Sequence, residues 1–334
     1  RFTRDGNRAL TEYCESHGLK INKCGKLVVT QKESELQWLD ELMSRAKKNG
    51  VDLQVVDQKE AEAIEPRVKT CQRALFSPTT SSVDPGEVMA HVHKDALAEG
   101  VKVHLGVHYL QRTANGIETS AGNYSAGYII NCAGLYADTI GRDFGFSKHY
   151  RILPFKGLYL YSNEPAGSLR THIYPVPDLR NPFLGVHFTV TASGAVKIGP
   201  TATPAFWREQ YKGVENFNAS ELIEILLRQA GLFFYSNFDF KRLAWEEIQK
   251  YSRSHLVSLA SHLLQGVHKS QYKKWGPPGI RAQLLDLKRK KLEMDFILES
   301  DDKSMHILNA VSPAFTCAFP FAEYVCRKIE PLMG

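Results

Sequence analysis

The stretch Tyr128-Ile129-Ile130-Asn131-Cys132-Ala133-Gly134 decides how the rest of the chain is read. It is nearly all apolar and lacks the alternation of a half-exposed strand, so it predicts a strand buried on both faces, as in a parallel sheet. It ends in glycine and runs into a helical pattern from Tyr136. Ligands of open α/β sheets sit beyond the carboxyl ends of such strands, and a glycine there lets one approach the backbone closely. On periodicity alone the same residues also read as an ordinary strand-to-helix turn.

Upstream, Asp84-Pro85-Gly86-Glu87 is a strong helix start: Asp caps, Pro takes the first helical position and Glu lies three residues after the cap. The helix should run to Gly100, followed by a strand over Val101–Leu105 and by two short β-runs around an Asn115-Gly116 turn. Nearer the start, Asp5–His17 predicts a helix stopped by Gly18, and Lys26–Thr30 a strand. A helix from Leu36 should end at Asn49-Gly50, with a strand over Val51–Val56 after it. Asp57 and Glu60 then form a capping box for a short helix ending before Pro66.

Downstream of Phe146 the texture becomes strand-like over Ile152–Tyr161, Ile173-Tyr174, Phe183–Val190 and Ala195–Ile198, with a turn at Ser193-Gly194. Few helical patterns interrupt these runs, so an antiparallel sheet is expected. Two helical segments follow, one capped by Asn218 and Glu221, the other spanning about Leu243 to Leu264. Gly276-Pro277-Pro278-Gly279 is a rigid bend before a hairpin over Ile280–Leu298. A strand Met305–Leu308, a turn at Ser312-Pro313-Ala314 and an apolar helix reaching Ile329, with a kink expected at Pro320, close the chain. The fold class is therefore α/β (α+β): an α/β nucleotide-type domain built from both chain ends, and a mostly antiparallel domain between them.

Composition narrows the function. The 334 residues carry 42 Lys and Arg against 36 Asp and Glu, a net charge of +6. That modest excess suits an anionic small molecule or an acidic surface. The positives form no stripe interleaved with aromatics, and Lys288-Arg289-Lys290-Lys291 reads as a solvated hairpin turn, so no nucleic-acid partner is expected. Six scattered cysteines lack C-x-x-C or zinc spacing, which argues for a reducing compartment and no metal. No apolar run is long enough to span a bilayer. The chain opens on Arg1, directly before a helical pattern, and that opening reads as a cut.

No G-x-G-x-x-G follows a strand, and there is no P-loop, H-E-x-x-H or G-x-S-x-G. Several segments in order do carry a resemblance. They are Asn22-Lys23-Cys24-Gly25-Lys26-Leu27, the run Asn131–Asp138 (N-C-A-G-L-Y-A-D), Pro154-Phe155-Lys156-Gly157-Leu158-Tyr159, Ile173-Tyr174-Pro175-Val176-Pro177-Asp178 and Pro182-Phe183-Leu184-Gly185-Val186-His187-Phe188-Thr189. Gly199-Pro200-Thr201-Ala202, Gly279-Ile280-Arg281-Ala282-Gln283 and Asn309-Ala310-Val311-Ser312-Pro313-Ala314 complete the set. Jointly they resemble the L-2-hydroxyglutarate dehydrogenase family of the D-amino-acid-oxidase-like flavoproteins.

The resemblance implies an FAD-binding, glutathione-reductase-like fold, N-terminally incomplete because the flavin fingerprint would precede Arg1, with an antiparallel-sheet substrate domain. Its domains would be residues 1–147 (partial FAD-binding domain with substrate-domain elements near 20–80), 148–275 (substrate domain) and 276–334 (return to the FAD-binding domain). The implied activity is oxidation of L-2-hydroxyglutarate to 2-oxoglutarate, with hydride transfer to flavin N5. Electrons would pass on to a quinone or an electron carrier. Localisation would be mitochondrial, and peripheral membrane association is compatible with it. An amino-acid oxidase of the same superfamily and a non-catalytic fragment unable to hold FAD are the alternatives.

Carried onto this chain, Arg281 would clamp the substrate carboxylate, for which its planar fork is suited. Otherwise it is a surface arginine in a salt bridge. His187, in an apolar strand, would accept the hydroxyl proton; the bland reading is a satisfied core histidine. Lys156, where similar proteins commonly carry Arg, and Tyr174 would contact the carboxylates; otherwise they are a solvated lysine and a packed aromatic. Ser312, Pro313 and Ala314 begin the last helix, whose backbone N–H groups and dipole would face the N1/C2 carbonyl edge of the flavin. Gly134 would meet the pyrophosphate or ribityl, and Val107 the adenine through its backbone. A tight turn or core position is the alternative for these.

Overall fold

The computed structural model describes residues 2–177, 185–235, 240–310 and 312–332, and side chains outside 232–244. Asp178, Pro182, Phe183 and Leu184 of the quoted matches, and Val311, lie outside the described residues.

In chain order the elements are α1 (Phe2–Ser16), β1 (Ile21–Asn22), β2 (Lys26–Val29), α2 (Leu36–Asn49), β3 (Gln54–Asp57), α3 (Gln58–Ile64), β4 (Arg73–Ser77), β5 (Ser82–Val83) and α4 (Pro85–Ala98). Next come β6 (Tyr109–Thr113), β7 (Gly116–Thr119), β8 (Gly122–Ser125), β9 (Ile129–Asn131), α5 (Ala137–Asp143), β10 (Tyr150–Gly157), β11 (Leu160–Ser162), β12 (His172–Pro175), β13 (His187–Val190), β14 (Val196–Gly199) and β15 (Thr203–Pro204). The last third holds α6 (Ala219–Tyr235), α7 (Phe240–Gln249), α8 (Arg253–Ser261), β16 (Tyr272–Trp275), β17 (Gly279–Asp286), β18 (Lys291–Leu292), β19 (Ile297–Ser300), β20 (Ser304–Asn309) and α9 (Ala314–Ile329).

Two compact units result. Unit 1 takes residues 1–91, 156–203 and 241–279; unit 2 takes 92–155, 204–240 and 280–334. Unit 1 is organised by a sheet of order β16-β11-β14-β13-β12-β2-β4-β3. Its strand pairings are antiparallel except β12 with β2. Strand periodicity sorts its side chains: Leu27, Val29, Ile173, Phe188, Val190, Val196 and Ile198 face a core completed by Leu256, Val257 and Ala260 of α8. The other face is polar around its middle. Local signals act as expected: Asp57 and Glu60 exchange the two capping-box bonds at α3, and Gly50 closes α2 in the left-handed region.

Unit 2 holds the three-stranded sheet β19-β20-β9, the meander β6-β7-β8, and the sheet β15-β10-β17-β18, whose strand ends carry Lys156, Gly157 and Gly279 into unit 1. Here several expectations need correction. β9 does run parallel to β20, but it spans only Ile129–Asn131 and lies at the sheet edge, leaving Ile130 41% exposed rather than buried on both faces. Residues 101–105 form no strand, and Leu105 is 79% exposed. The run 152–161 divides at Gly157 into β10 and β11, which belong to different sheets, and the stretch 280–298 divides likewise between the β17–β18 hairpin and β19. Ser252, capping α8 from its own side chain, breaks the segment 243–264 into two helices. Lys288–Lys290 do form a turn, with Asp286 Oδ1 accepting from the Lys288 and Arg289 amides. α9 continues through Pro320.

Candidate active site

The polar face of the unit 1 sheet gathers ionisable groups that the strand registers place side by side. Lys26 on β2 pairs with His172 on β12, and His187 and Thr189 on β13 pair with Gly199 and Lys197 on β14. Tyr174 lies between β2 and β13: its ring stacks on His187 at 3.8 Å and 19°, while Lys26 Nζ sits 5.3 Å from the same ring. Lys197 Nζ lies 4.2 Å from the Tyr159 ring. Gly199, at φ +144, makes that approach feasible, because a Cβ there would stand 2.7 Å from Leu158 O and 2.9 Å from Tyr159 Cδ1.

Hydrogen bonds settle the histidine tautomers. His172 Nδ1 accepts from the Val190 amide at 3.0 Å, so its proton is on Nε2, which lies 3.4 Å from both Ser82 Oγ and Cys24 Sγ. His187 is reversed: Nδ1 lies 2.9 Å from Gly185 O and must donate, so Nε2 carries the free lone pair. Burial, aided by the Lys26 and Lys197 charges, holds both rings neutral, His172 at about 4 and His187 at about 3. Burial also lowers Lys26 and Lys197 and raises the Tyr174 phenol, against a hydrogen bond from Thr189 that pulls it down. The face thus carries two lysine charges beside neutral imidazoles, a setting suited to anionic ligands.

In unit 2 the end of β9 is shaped by Asn131. Its Nδ2 donates to Ala137 O (2.9 Å) and to His306 Nδ1 (3.1 Å), and its Oδ1 accepts from the Ala133 amide. Gly134 follows at φ +53 with open space where a Cβ would be. A cavity of about 380 Å³ joins Gly134 to Ala282 on β17, Ala310 after β20, and Ala314 and Ala318 on α9. Below the strand end, Asp138 is fully buried between Arg208 and Arg142, with the Ile152 amide as a further donor. Burial alone would raise its carboxyl, but the Arg208 guanidinium, seconded by Arg142, holds it below the usual carboxylate range.

Of the residues expected from sequence, Tyr174 and His187 are brought into contact, and Gly134 and Ala314 line one cavity whose wall includes Ala282, the neighbour of Arg281. Arg281 is half-buried on β17, and Ser312 and Pro313 are exposed before α9. Lys156 lies at the end of β10, its carbonyl accepting from Thr201 and Thr203, and burial lowers its pKa. Val107 sits in the turn before β6, next to His108, whose amide donates to Ser120 Oγ. Sequence reasoning missed Lys26, His172, Lys197 and Tyr159. The available signal was parity: Lys26 alternates with the inward Leu27 and Val29, as His172 does with Ile173.

Comparison with known proteins places this geometry in a class. A family profile described as DAO, FAD dependent oxidoreductase, matches residues 1–327, and the chain belongs to that family of FAD-dependent oxidoreductases. It is 30% identical over 340 residues to an L-2-hydroxyglutarate dehydrogenase of Escherichia coli, covering all of this chain and 79% of that protein. It is 32% identical to the mitochondrial L-2-hydroxyglutarate dehydrogenase of Nematostella vectensis, covering 95% of this chain and 74% of the relative. Among solved structures, an FAD-bound L-alpha-glycerophosphate oxidase from Mycoplasma pneumoniae superposes with TM-score 0.70 at 18% identity, over 93% of this chain and 74% of that one. Glycine oxidase from Geobacillus kaustophilus gives 0.68 at 16%, over 98% and 77%. The likeness to these two shows the FAD-oxidoreductase fold.

The residues present fit the cofactor: Gly134 leaves space at the strand end, and small side chains line the cavity beside the start of α9. No helix among the described residues is long and apolar enough to cross a membrane.

Proposed function

We propose that the chain oxidises L-2-hydroxyglutarate to 2-oxoglutarate, and the observation that carries this reading is the cationic face bearing His187, Tyr174 and Lys26. The substrate is a dianion, and desolvating two carboxylates demands fixed positive groups or strong donors. His187 Nε2 accepts the hydroxyl proton, because Gly185 O holds the ring's own proton on Nδ1. Its low pKa in the unliganded chain arises first from burial and then from neighbouring cations; a bound dianion would offset the cations and raise its basicity. Tyr174 braces the imidazole by stacking. Arg281 clamps the carboxylate next to the reacting carbon, and Lys156 adds positive charge. Gly134, Val107 and the turn Ser312-Pro313-Ala314 at the start of α9 would hold the cofactor. FAD, when bound, supplies the two-electron acceptor that takes the hydride from the substrate carbon. Electrons leave to a quinone or a carrier protein, in a mitochondrial setting like that named for the Nematostella relative.

The test is anaerobic reduction of the FAD-loaded chain. Bleaching of the flavin band by L-2-hydroxyglutarate, with 2-oxoglutarate as product and no response to the D enantiomer, is the expected outcome. Bleaching by glycine or sarcosine alone would move the protein to the amino-acid oxidases, and failure to retain FAD would mark it as non-catalytic. Replacing Arg281 by Met should raise KM by about 10- to 100-fold, the worth of a charge-assisted bidentate pair, and Arg281→Lys should recover only part of it.

A further inference from the structure

A cavity of about 480 Å³ lies wholly within unit 1, between α1, α2 and the polar face of the sheet. That size suits a small molecule. Its walls are apolar where Val28, Leu42, Leu53 and Leu75 line it, and its charged lining among the described residues is Lys26, Arg4 and Arg45, with no carboxylate. Two of these cations are already matched: Arg4 pairs with Asp5 at 2.7 Å, and Arg45 with Glu41 at 2.8 Å. Lys26 makes no ion pair among the described residues, and its ammonium rests over the Tyr174 ring. A partly buried lysine with no carboxylate partner among the described residues is a costly arrangement unless an anion completes it. Burial lowers its pKa, as expected for a charge awaiting a counter-ion.

Register fixes where that anion would sit. On β2, Val28 lies opposite Tyr174 of β12 and Lys26 opposite His172, so the Lys26 ammonium reaches diagonally to within 5.3 Å of the Tyr174 ring; Tyr174 lines the same cavity and stacks on His187 of β13. We infer that Lys26 anchors one carboxylate of a small dicarboxylate in this cavity, with the methylene chain against the apolar wall and the other end towards the Tyr174–His187 stack. Lys26 thereby selects dicarboxylates over monocarboxylates of the same family. The inference rests on the dicarboxylate oxidation proposed above and adds the residue that reads the second charge.

Calorimetric titration of the FAD-loaded chain with glutarate and with butyrate tests the anchor without turnover. Lys26→Met should weaken glutarate binding by about 30-fold or more and change butyrate binding by less than about threefold, since only the dianion uses the lysine. Lys26→Arg should retain part of the glutarate affinity. In turnover, the same variant should raise KM for L-2-hydroxyglutarate with kcat within about threefold, the signature of lost uniform binding. Equal losses for both ligands, an unchanged glutarate affinity, or no glutarate binding by the unmodified chain would each overturn the assignment. Should Lys26→Met fail to fold, an unimpaired glutarate affinity in Lys26→Gln overturns it equally, and a selective loss supports it. If the chain oxidises only amino acids while the selective glutarate loss persists, the reaction proposed above fails and the anchor stands. If it oxidises L-2-hydroxyglutarate with the Lys26 variants unaffected, the anchor alone fails.

Discussion

His187 owes its chemistry to a carbonyl two residues before it. Gly185 O takes the Nδ1 proton, which leaves Nε2 as the basic nitrogen. If His187 is the base as proposed, His187→Gln, which keeps a similar volume and removes that nitrogen, should lower kcat by about 100-fold or more with a smaller change in KM, measured by stopped-flow flavin reduction. Asp138 shows the opposite use of a charge. Its carboxylate is buried against Arg208, itself almost wholly buried, and ties α5 to the chain around residue 208. Asp138→Asn removes the nearer of two carboxylates at the buried Arg208, leaving Glu221 at 3.7 Å, and should cost about 3 kcal/mol in denaturant unfolding. Removing a paired exposed side chain such as Arg45 should cost less than about 1 kcal/mol. The difference is desolvation: the Arg45–Glu41 pair stays hydrated, with side chains near half exposed.

Among the elements, α3 depends most visibly on its end. Asp57 Oδ1 accepts from the Glu60 amide at 2.9 Å, and Glu60 Oε2 accepts from the Asp57 amide at 2.8 Å. Seven residues are too few for a helix to persist on propensity, so the cap and the burial of Ala61 carry it. Asp57→Ala should destabilise unit 1 by about 1 kcal/mol, read from the thermal midpoint. β9 is the contrasting case. Its three residues are held on one side by β20, and its position is secured by Asn131 bonding to α5 and to His306. An apolar run of seven residues thus yields a short edge strand, because pairing on the second side is not supplied by the described residues.

At the scale of the whole molecule, buried neutral histidines set a pH response. Relative to 6.5, His172 and His306 are each lowered to about 4 and His187 to about 3, burial being the leading cause in all three. Between those values and 6.5 the unfolded chain binds protons that the folded chain refuses, so stability falls as pH drops through that window and is fully present above it. Thermal midpoints should decline steadily from about pH 7 to pH 4.5, and His306→Gln should make the decline shallower, since each titrating site contributes to the slope. Much of the architecture was legible in the chain. The caps at Asp57 and Asp84, the stop at Gly50, and the hairpins at Asn115-Gly116 and Ser193-Gly194 rest on interactions within a few residues. The candidate site was legible only in part: His187 and Tyr174 could be named from the resemblance, but not their stacking, nor the tautomer. Lys26, His172 and Lys197 stand in unremarkable strand contexts, and they share one face, charged by the two lysines, only when β2, β12, β13 and β14 align. Local order follows from short-range bonding that the residue pattern already specifies. Neighbourhood across strands, and with it burial and charge coupling, arises from register between distant segments, such as Lys26 with His172 and Thr189 with Lys197, and only the folded chain decides it.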